Sequence, residues 1–256
     1  MKILLTNDDG IYAEGIQTMA RVLQNDHQIA LVAPDRERSA SGHSITIKDP
    51  LRAQKVDFKY LDDINCFKVN GTPADCVKLG LEKLIDFKPD IIVSGINHGA
   101  NLGYDVLYSG TVSAAIEAWM MGYCSLAVSL DLKKGHHFKS GANYVQHFLK
   151  KIENFDIGEK MLLNVNIPDL KEEEIEGVEI TDLGASLYVD NFEERVDPMG
   201  KHYYWLSGKK KEGFARNTDI WAVSNDRIAL TPLKIDLTYV AQKEQLQNII
   251  EQNQNE

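Results

Sequence analysis

Short apolar runs alternate with stretches of helical periodicity through the first two-thirds of this chain, and that alternation restricts the possible folds more than any other feature. Ile3 to Thr6 reads as a strand, Ile16, Met19, Ala20 and Leu23 recur at helical spacing, and Ile29 to Ala33 reads as a second strand. Thr72 stands where it would cap a helix with Pro73 in its first turn, and Val77, Leu81 and Leu84 then share one face. Further strands are expected over Asp90 to Ser94, Ser125 to Leu130 and Asn164 to Pro168, with helices over Thr111 to Met121 and Gly141 to Ile152. Such a pattern is satisfied by a mostly parallel sheet covered by helices on both faces. The expectation is an α/β fold with a Rossmann-like three-layer core over residues 1–168. A β-rich extension, a closing core segment and a C-terminal arm over residues 169–256 would complete the same globular unit.

The second part of the chain has a different character. Lys171 to Glu176 is a charged connection, and Val178 to Asp182 and Val189 to Leu206 are β-rich with Gly and Asp punctuation. Lys209, Lys210 and Lys211, between Gly208 and Gly213, are the expected tip of a hairpin, read as a solvated turn rather than a phosphate grip. Tyr188, Phe192, Tyr203, Tyr204 and Trp205 are more aromatic surface than a projecting hairpin leaves in water, which points to assembly. The tail from Tyr239 to Glu256 is too polar for a helix stable by itself and is expected to pack on another element or subunit.

At 256 residues and 43% hydrophobic, the chain can bury a sizeable core. Its net charge of -10 argues against binding a nucleic acid polymer, which requires Lys and Arg to neutralise phosphates. Small anionic substrates fit if a metal supplies local positive charge. Cys66, Cys76 and Cys124 lack zinc-ligand spacing and read as packed thiols. No secretory signal or membrane-spanning run is evident, so a cytoplasmic protein without membrane attachment is expected.

Chemistry is concentrated where three apolar runs end in oxygen-bearing side chains: after Leu5, after Ala33 and after Val93. In a parallel sheet those ends share one edge, where ligand crevices open. Asn7-Asp8-Asp9-Gly10 reads by itself as a turn, but two adjacent carboxylates at the end of a buried strand are costly without a positive partner. A divalent cation answers that cost, and Gly10 eases the bend that lets both acids face it. Ser39 lies in a polar segment that, taken by itself, reads as an ordinary surface loop. Asn97 lies among Gly95, Gly99 and Gly103, each four residues apart, with no Gly-x-Gly, so a nicotinamide or flavin cofactor is not expected. Ser109, Gly110 and Thr111 precede an apolar helix, and either cap it or cradle a phosphate there. In the cradle reading Thr111 acts on substrate. His43 and His98 lie within these loops, whereas His136, His137 and His147 read as surface helix residues.

Taken together these motifs resemble the SurE family of survival-protein nucleotidases. Leu4 to Gly10 (LLTNDDG), Val32 to Ser39 (VAPDRERS), Asn70 to Asp75 (NGTPAD), Ser94 to Gly103 (SGINHGANLG) and Leu107 to Ala115 (LYSGTVSAA) match its motifs in order. Weaker similarity continues through Leu163 to Pro168, Tyr203 to Gly208, Asn217 to Val223 and Leu230 to Leu233. The resemblance implies that Asp8, Asp9, Ser39 and Asn97 coordinate one divalent cation per subunit, Mg2+ or Mn2+. It implies that Asn101, Ser109, Gly110 and Thr111 line the phosphate site, and that subunits form a homodimer or homotetramer by exchanging a C-terminal arm. The implied activity is hydrolysis of nucleoside 5'- and 3'-monophosphates, extending to short polyphosphate. The chain departs from the family at Tyr12-Ala13-Glu14-Gly15, where a His and a Pro are common, at Glu117-Ala118-Trp119, and at Asn225-Asp226-Arg227.

In the expected mechanism a metal-bound water attacks in line, with Asp8 or Asp9 positioning or deprotonating it and Ser109 to Thr111 holding the phosphoryl oxygens. An aspartyl-phosphate route is the rival chemistry. Two other classes remain open at this point: a nucleotide sensor that binds through the same metal without turnover, and a metal-dependent transferase.

Overall fold

The computed structural model describes residues 1–61, 64–132, 135–153, 160–185, 188–210 and 213–253. The strands are β1 (Lys2–Thr6), β2 (Gln28–Pro34), β3 (Ala53–Lys55), β4 (Asn65–Val69), β5 (Ile91–His98), β6 (Cys124–Asp131), β7 (Leu162–Pro168), β8 (Val178–Ile180), β9 (Tyr188–Val196), β10 (His202–Lys210) and β11 (Ile228–Pro232). The helices are α1 (Glu14–Leu23), α2 (Pro73–Leu79, continued by a π turn over Gly80–Leu84), α3 (Gly110–Met120), α4 (Phe138–Ile152), α5 (Asp219–Ser224) and α6 (Val240–Asn253).

Nine strands form one sheet in the order β3-β4-β2-β1-β5-β6-β7-β11-β8. The six from β4 to β7 run parallel, β3 and β11 join antiparallel to their neighbours, and β8 pairs parallel with β11. Alternation along β1 explains the layering, because successive side chains point to opposite faces. Ile3 and Leu5 pack with Ile16, Met19 and Leu23 of α1 and with Phe138, Val145 and Leu149 of α4. Leu4 packs on the other side with Cys76 and Val77 of α2 and Ala114 and Ala118 of α3. The result is the expected α/β three-layer architecture.

Strand order reverses between β1 and β5. From β1 the chain crosses to β2 on one side, and β5 later enters on the other side of β1. The helix following β1 covers one face and the helix following β5 covers the opposite face. Their loops therefore separate at the strand ends and leave a crevice there. Asp8 and Asp9 follow β1, and Asn97 and His98 end β5, so the topology itself puts them at this opening.

Three sequence expectations are corrected. The third strand does not stop at Ser94 but runs to His98, with a register shift against β6 between Ser94 and Asn97. The strand expected to end at Pro168, read from the sequence as the last of the core, is not the last, because β11 adds to β7 and β8 adds to β11. Finally, Lys209 and Lys210 belong to β10, and the hairpin turn lies instead over Asp197 to Lys201. There Asp197 accepts hydrogen bonds from the Met199 and Lys201 N–H groups at 2.8 and 2.9 Å, an aspartate-closed turn that the lysine run obscured. Lys211 lies outside the described residues.

The β9–β10 hairpin stands apart from the large sheet as its own two-stranded sheet. Phe192, Tyr203, Tyr204, Trp205 and Leu206 are exposed along it, and Val240, Leu246, Ile249 and Ile250 are exposed on α6. The tail is thus helical over most of its length, although its sequence favours no isolated helix. No described helix is long and apolar enough to cross a membrane.

Candidate active site

The turn after β1 is built by its own side chains. Asn7 Nδ2 donates to the Gly10 carbonyl at 2.9 Å, and the Gly10 N–H donates back to Asn7 Oδ1 at 3.2 Å. Gly10 has φ +97° and lies against the Arg36 backbone, where a Cβ would come within 3.0 Å of Arg36 C. The turn therefore needs glycine for both conformation and space. It carries Asp8, 3% exposed, and the half-buried Asp9 out of the strand.

Asp8 meets the start of α3. Thr111 Oγ1 donates to Asp8 Oδ1. The approach depends on Gly110, where a Cβ would lie 2.8 Å from Asp8 Cβ. A carboxylate at a helix N-terminus is favoured by the orphan N–H groups and the dipole. Ser109 caps α3 by accepting the Val112 N–H at 3.1 Å. Cap and anion cradle thus coexist, and the anion already in contact with the cradle is Asp8.

Asp9 accepts the His98 N–H at 3.0 Å through Oδ2, which ties the β1 turn to the end of β5. Asn97, the preceding residue, donates through Nδ2 to the Gly99 carbonyl at 2.7 Å, leaving its amide oxygen as the end suited to a hard cation. Ser39 Oγ donates to Glu37 at 2.8 Å, and Ser39, Glu37 and Asp9 line one cleft. Among the described residues, neither Asp8 nor Asp9 has an ion pair with a Lys, Arg or His. Burial pushes both carboxyls up, Asp9 to about 6, where the adjacent Asp8 charge adds to the effect. For Asp8 the Thr111 hydroxyl opposes the shift without reversing it.

The donor set suits a hard divalent ion: two carboxylates, a hydroxyl and an amide oxygen, with no cysteine sulfur nearby. No group of three His, Cys, Asp or Glu side chains poised to hold a metal occurs among the described residues, so neutral oxygens would have to complete the shell. Among the described residues, Ser41 Oγ is buried without a hydrogen-bond partner beside Gly110, and so are Thr6 Oγ1 at the end of β1 and Ser94 Oγ, its register partner within β5. Orphaned polar atoms at this edge are what an incomplete polar site leaves behind.

Asn101 is placed differently. Its N–H donates to Asn166 Oδ1 and its Nδ2 to Ser129 Oγ, both at 2.8 Å, while its carbonyl accepts from Asn164 and Asn166. These bonds fasten the loop after β5 to β6 and β7. Sequence reasoning singles out His98 but passes over His136 and the pairing of Glu117. His136 lies in the loop before α4 rather than in a helix and lines the cleft with Asp9, and His98 lines it too. Nothing local in the sequence marks His136, whose loop is fixed by Asp169 more than thirty residues away. Glu117 is buried in α3, where its carboxylate receives Lys78 and His43, each at 2.8 Å. That triad ties the segment after Ser39 to α3, and a carboxylate on an apolar helix was the sequence signal for it.

Because Thr111 contacts Asp8, Thr111→Val is expected to disturb the carboxylate pair itself, in addition to any contact with substrate. Removing the donor leaves a buried carboxylate with less compensation, so Mn2+ affinity should fall about tenfold or more and apo stability by about 1–3 kcal/mol. Calorimetric Mn2+ titration alongside urea unfolding measures both. Unchanged Mn2+ affinity with reduced turnover would return Thr111 to the substrate.

Comparison with known proteins agrees with the motifs. Residues 3–190 match the family model described as Survival protein SurE. A 5'-nucleotidase SurE of Thermosynechococcus vestitus is 47% identical, covering 93% of this chain and 92% of that protein. The one of Gloeobacter violaceus is 49% identical over the same shares. The one of Alkaliphilus metalliredigens is 44% identical over 97% of this chain and 98% of its own. The crystal structure of the SurE protein from Aquifex aeolicus superposes with a TM-score of 0.85 at 38% identity, covering 97% of this chain and 99% of that one. The chain belongs to the SurE family.

Proposed function

We propose that this protein is a 5'-nucleotidase that needs one divalent cation per subunit, Mg2+ or Mn2+, and releases phosphate from nucleoside 5'-monophosphates, with action on 3'-monophosphates and short polyphosphate. The observation that carries the reading is the pair of desolvated carboxylates, Asp8 and Asp9, at the strand-order reversal with no ion-paired cationic side chain among the described residues. The names of relatives at 41–49% identity support the activity class.

Asp8, Asp9, Ser39 and Asn97 would hold the ion. When bound, it supplies positive charge to phosphoryl oxygens and lowers the pKa of a coordinated water. The chain's own residues do the rest. Thr111 orients Asp8, and the His98 N–H orients Asp9, so each carboxylate keeps one fixed direction. Asp8 or Asp9 would position or deprotonate the attacking water. The N-terminus of α3, brought close by Gly110, favours negative charge developing beside Asp8. Asn101 would shape the phosphate site through the loop it fastens rather than by a direct bond.

The exposed apolar residues of the β9–β10 hairpin and of α6 support assembly into a homodimer or homotetramer through these two elements. Light scattering at micromolar concentration should give a mass of two or four chains; a single chain would contradict the assembly.

The activity test is a phosphate-release screen over nucleoside monophosphates, with chelator and after Mn2+ is restored. Release should vanish with chelator, return with Mn2+, and fall at least 100-fold in Asp8→Asn and Asp9→Asn, whose side chains keep their volume. Wild-type rates in both variants would remove the site assignment. Mn2+-dependent nucleotide binding without release would make the protein a sensor.

A further inference from the structure

The cleft beside Asp9 has an aromatic wall that the metal chemistry leaves unexplained. It encloses about 370 Å3, within the range of pockets that take a small organic ligand, and its lining includes Asp9, Ser39, Glu37, His98, His136 and Phe138. His98 stacks on Phe138 with ring centroids 6.2 Å apart and planes 22° from parallel. His136 lies 5.7 Å from His98 and 6.4 Å from Phe138. Phe138 is 3% exposed, whereas both histidines are exposed, so a buried ring braces two that face outward.

The wall is held from two directions. His98 ends β5, and its N–H is bound by Asp9. His136 sits in a loop held by Asp169, itself 3% exposed. Asp169 accepts the N–H groups of Gly135, His136 and His137 at 2.7, 3.1 and 2.8 Å and meets the His137 ring at 3.0 Å. Neither the His98 nor the His136 ring makes a hydrogen bond among the described residues. The pair does not join Asp9 and Glu37 in a cluster able to hold a second metal. What remains is flat π surface at a fixed place next to the proposed phosphate chemistry, which is the requirement for stacking a nucleobase.

We propose that His98 and His136, braced by Phe138, form the base-stacking wall of the substrate cleft, so that this chain selects nucleotides over phosphate esters lacking an aromatic base. The proposal rests on the phosphomonoesterase reading above for the class of ligand. Stacking on an aromatic ring contributes about 1–3 kcal/mol per base, equivalent to about 5- to 150-fold in affinity.

The test compares adenosine 5'-monophosphate with ribose 5-phosphate on the full chain loaded with Mn2+, by calorimetric binding and by phosphate release in the same samples. Wild type should favour the nucleotide by about 10- to 100-fold. The double variant His98→Ala/His136→Ala should lose most of that margin, and His98→Phe/His136→Phe should restore it, which a role in proton transfer would not allow. Equal affinity for the two esters in wild type, a margin kept by the alanine variant, or no recovery with phenylalanine would overturn the wall. Release from both esters with no base-dependent margin would remove the wall and leave the hydrolase. A wall-dependent margin in binding with no release would keep the wall and remove the hydrolase.

Discussion

Two neighbouring carboxylates drawn partly out of water at one strand end are the constraint around which the rest of this structure is arranged. Asp8 and Asp9 repel each other and have no cationic side chain to neutralise them among the described residues. Each is instead oriented by a neutral donor: Thr111 on Asp8 and the His98 N–H on Asp9. Neutral donors reduce the cost of burying charge without removing it, and the raised proton affinities of both acids register the remainder. A divalent ion would resolve the imbalance, and in the proposed function the fold keeps the pair poised for one.

The architecture supplies this poise at modest local expense. Reversal of strand order between β1 and β5 opens the crevice, and three close approaches set its walls. Gly10 lies on the Arg36 backbone, Gly110 lets α3 reach Asp8, and Asn7 closes the turn that lifts both acids from the strand. The Glu117 triad then ties the segment that follows Ser39 to the same helix α3. One helix therefore orients a carboxylate at its start and holds a neighbouring loop from its middle. A distortion of α3 would be felt at both.

Much of the fold was legible because its signals are local. The apolar runs of β1, β2, β6 and β7, the periodicity of α1 and the Thr72 cap of α2, which closes as a capping box with Asp75, all appear in short windows of sequence. The extent of β5 was not legible, because glycine and polar residues at Ser94 to His98 break the apolar pattern while the backbone continues to pair with β6. The hairpin tip was misplaced because a lysine run resembles a turn, whereas Asp197 makes the actual one. At the site, adjacent acids at a strand end were enough to single out Asp8 and Asp9. The contact between Thr111 and Asp8 spans a hundred residues of sequence, and His136 reaches the cleft only because of Asp169. Such long-range placements leave no periodic trace.

The central claim is that the carboxylate pair costs the fold energy until a cation joins it, and its most direct test is apo stability against pH, compared between wild type and Asp9→Asn. Asp9 has its carboxyl raised from 3.8 to about 6 in the folded protein, so the folded state holds that proton more tightly than the unfolded chain. The penalty for ionising it is absent below about pH 4, grows as pH rises and is complete above about pH 6. Wild type should therefore lose stability relative to Asp9→Asn across that window, and Mn2+ near neutral pH should raise the melting temperature of wild type well beyond that of the variant. A difference between the two proteins that stays flat with pH, together with equal responses to Mn2+, would contradict the account.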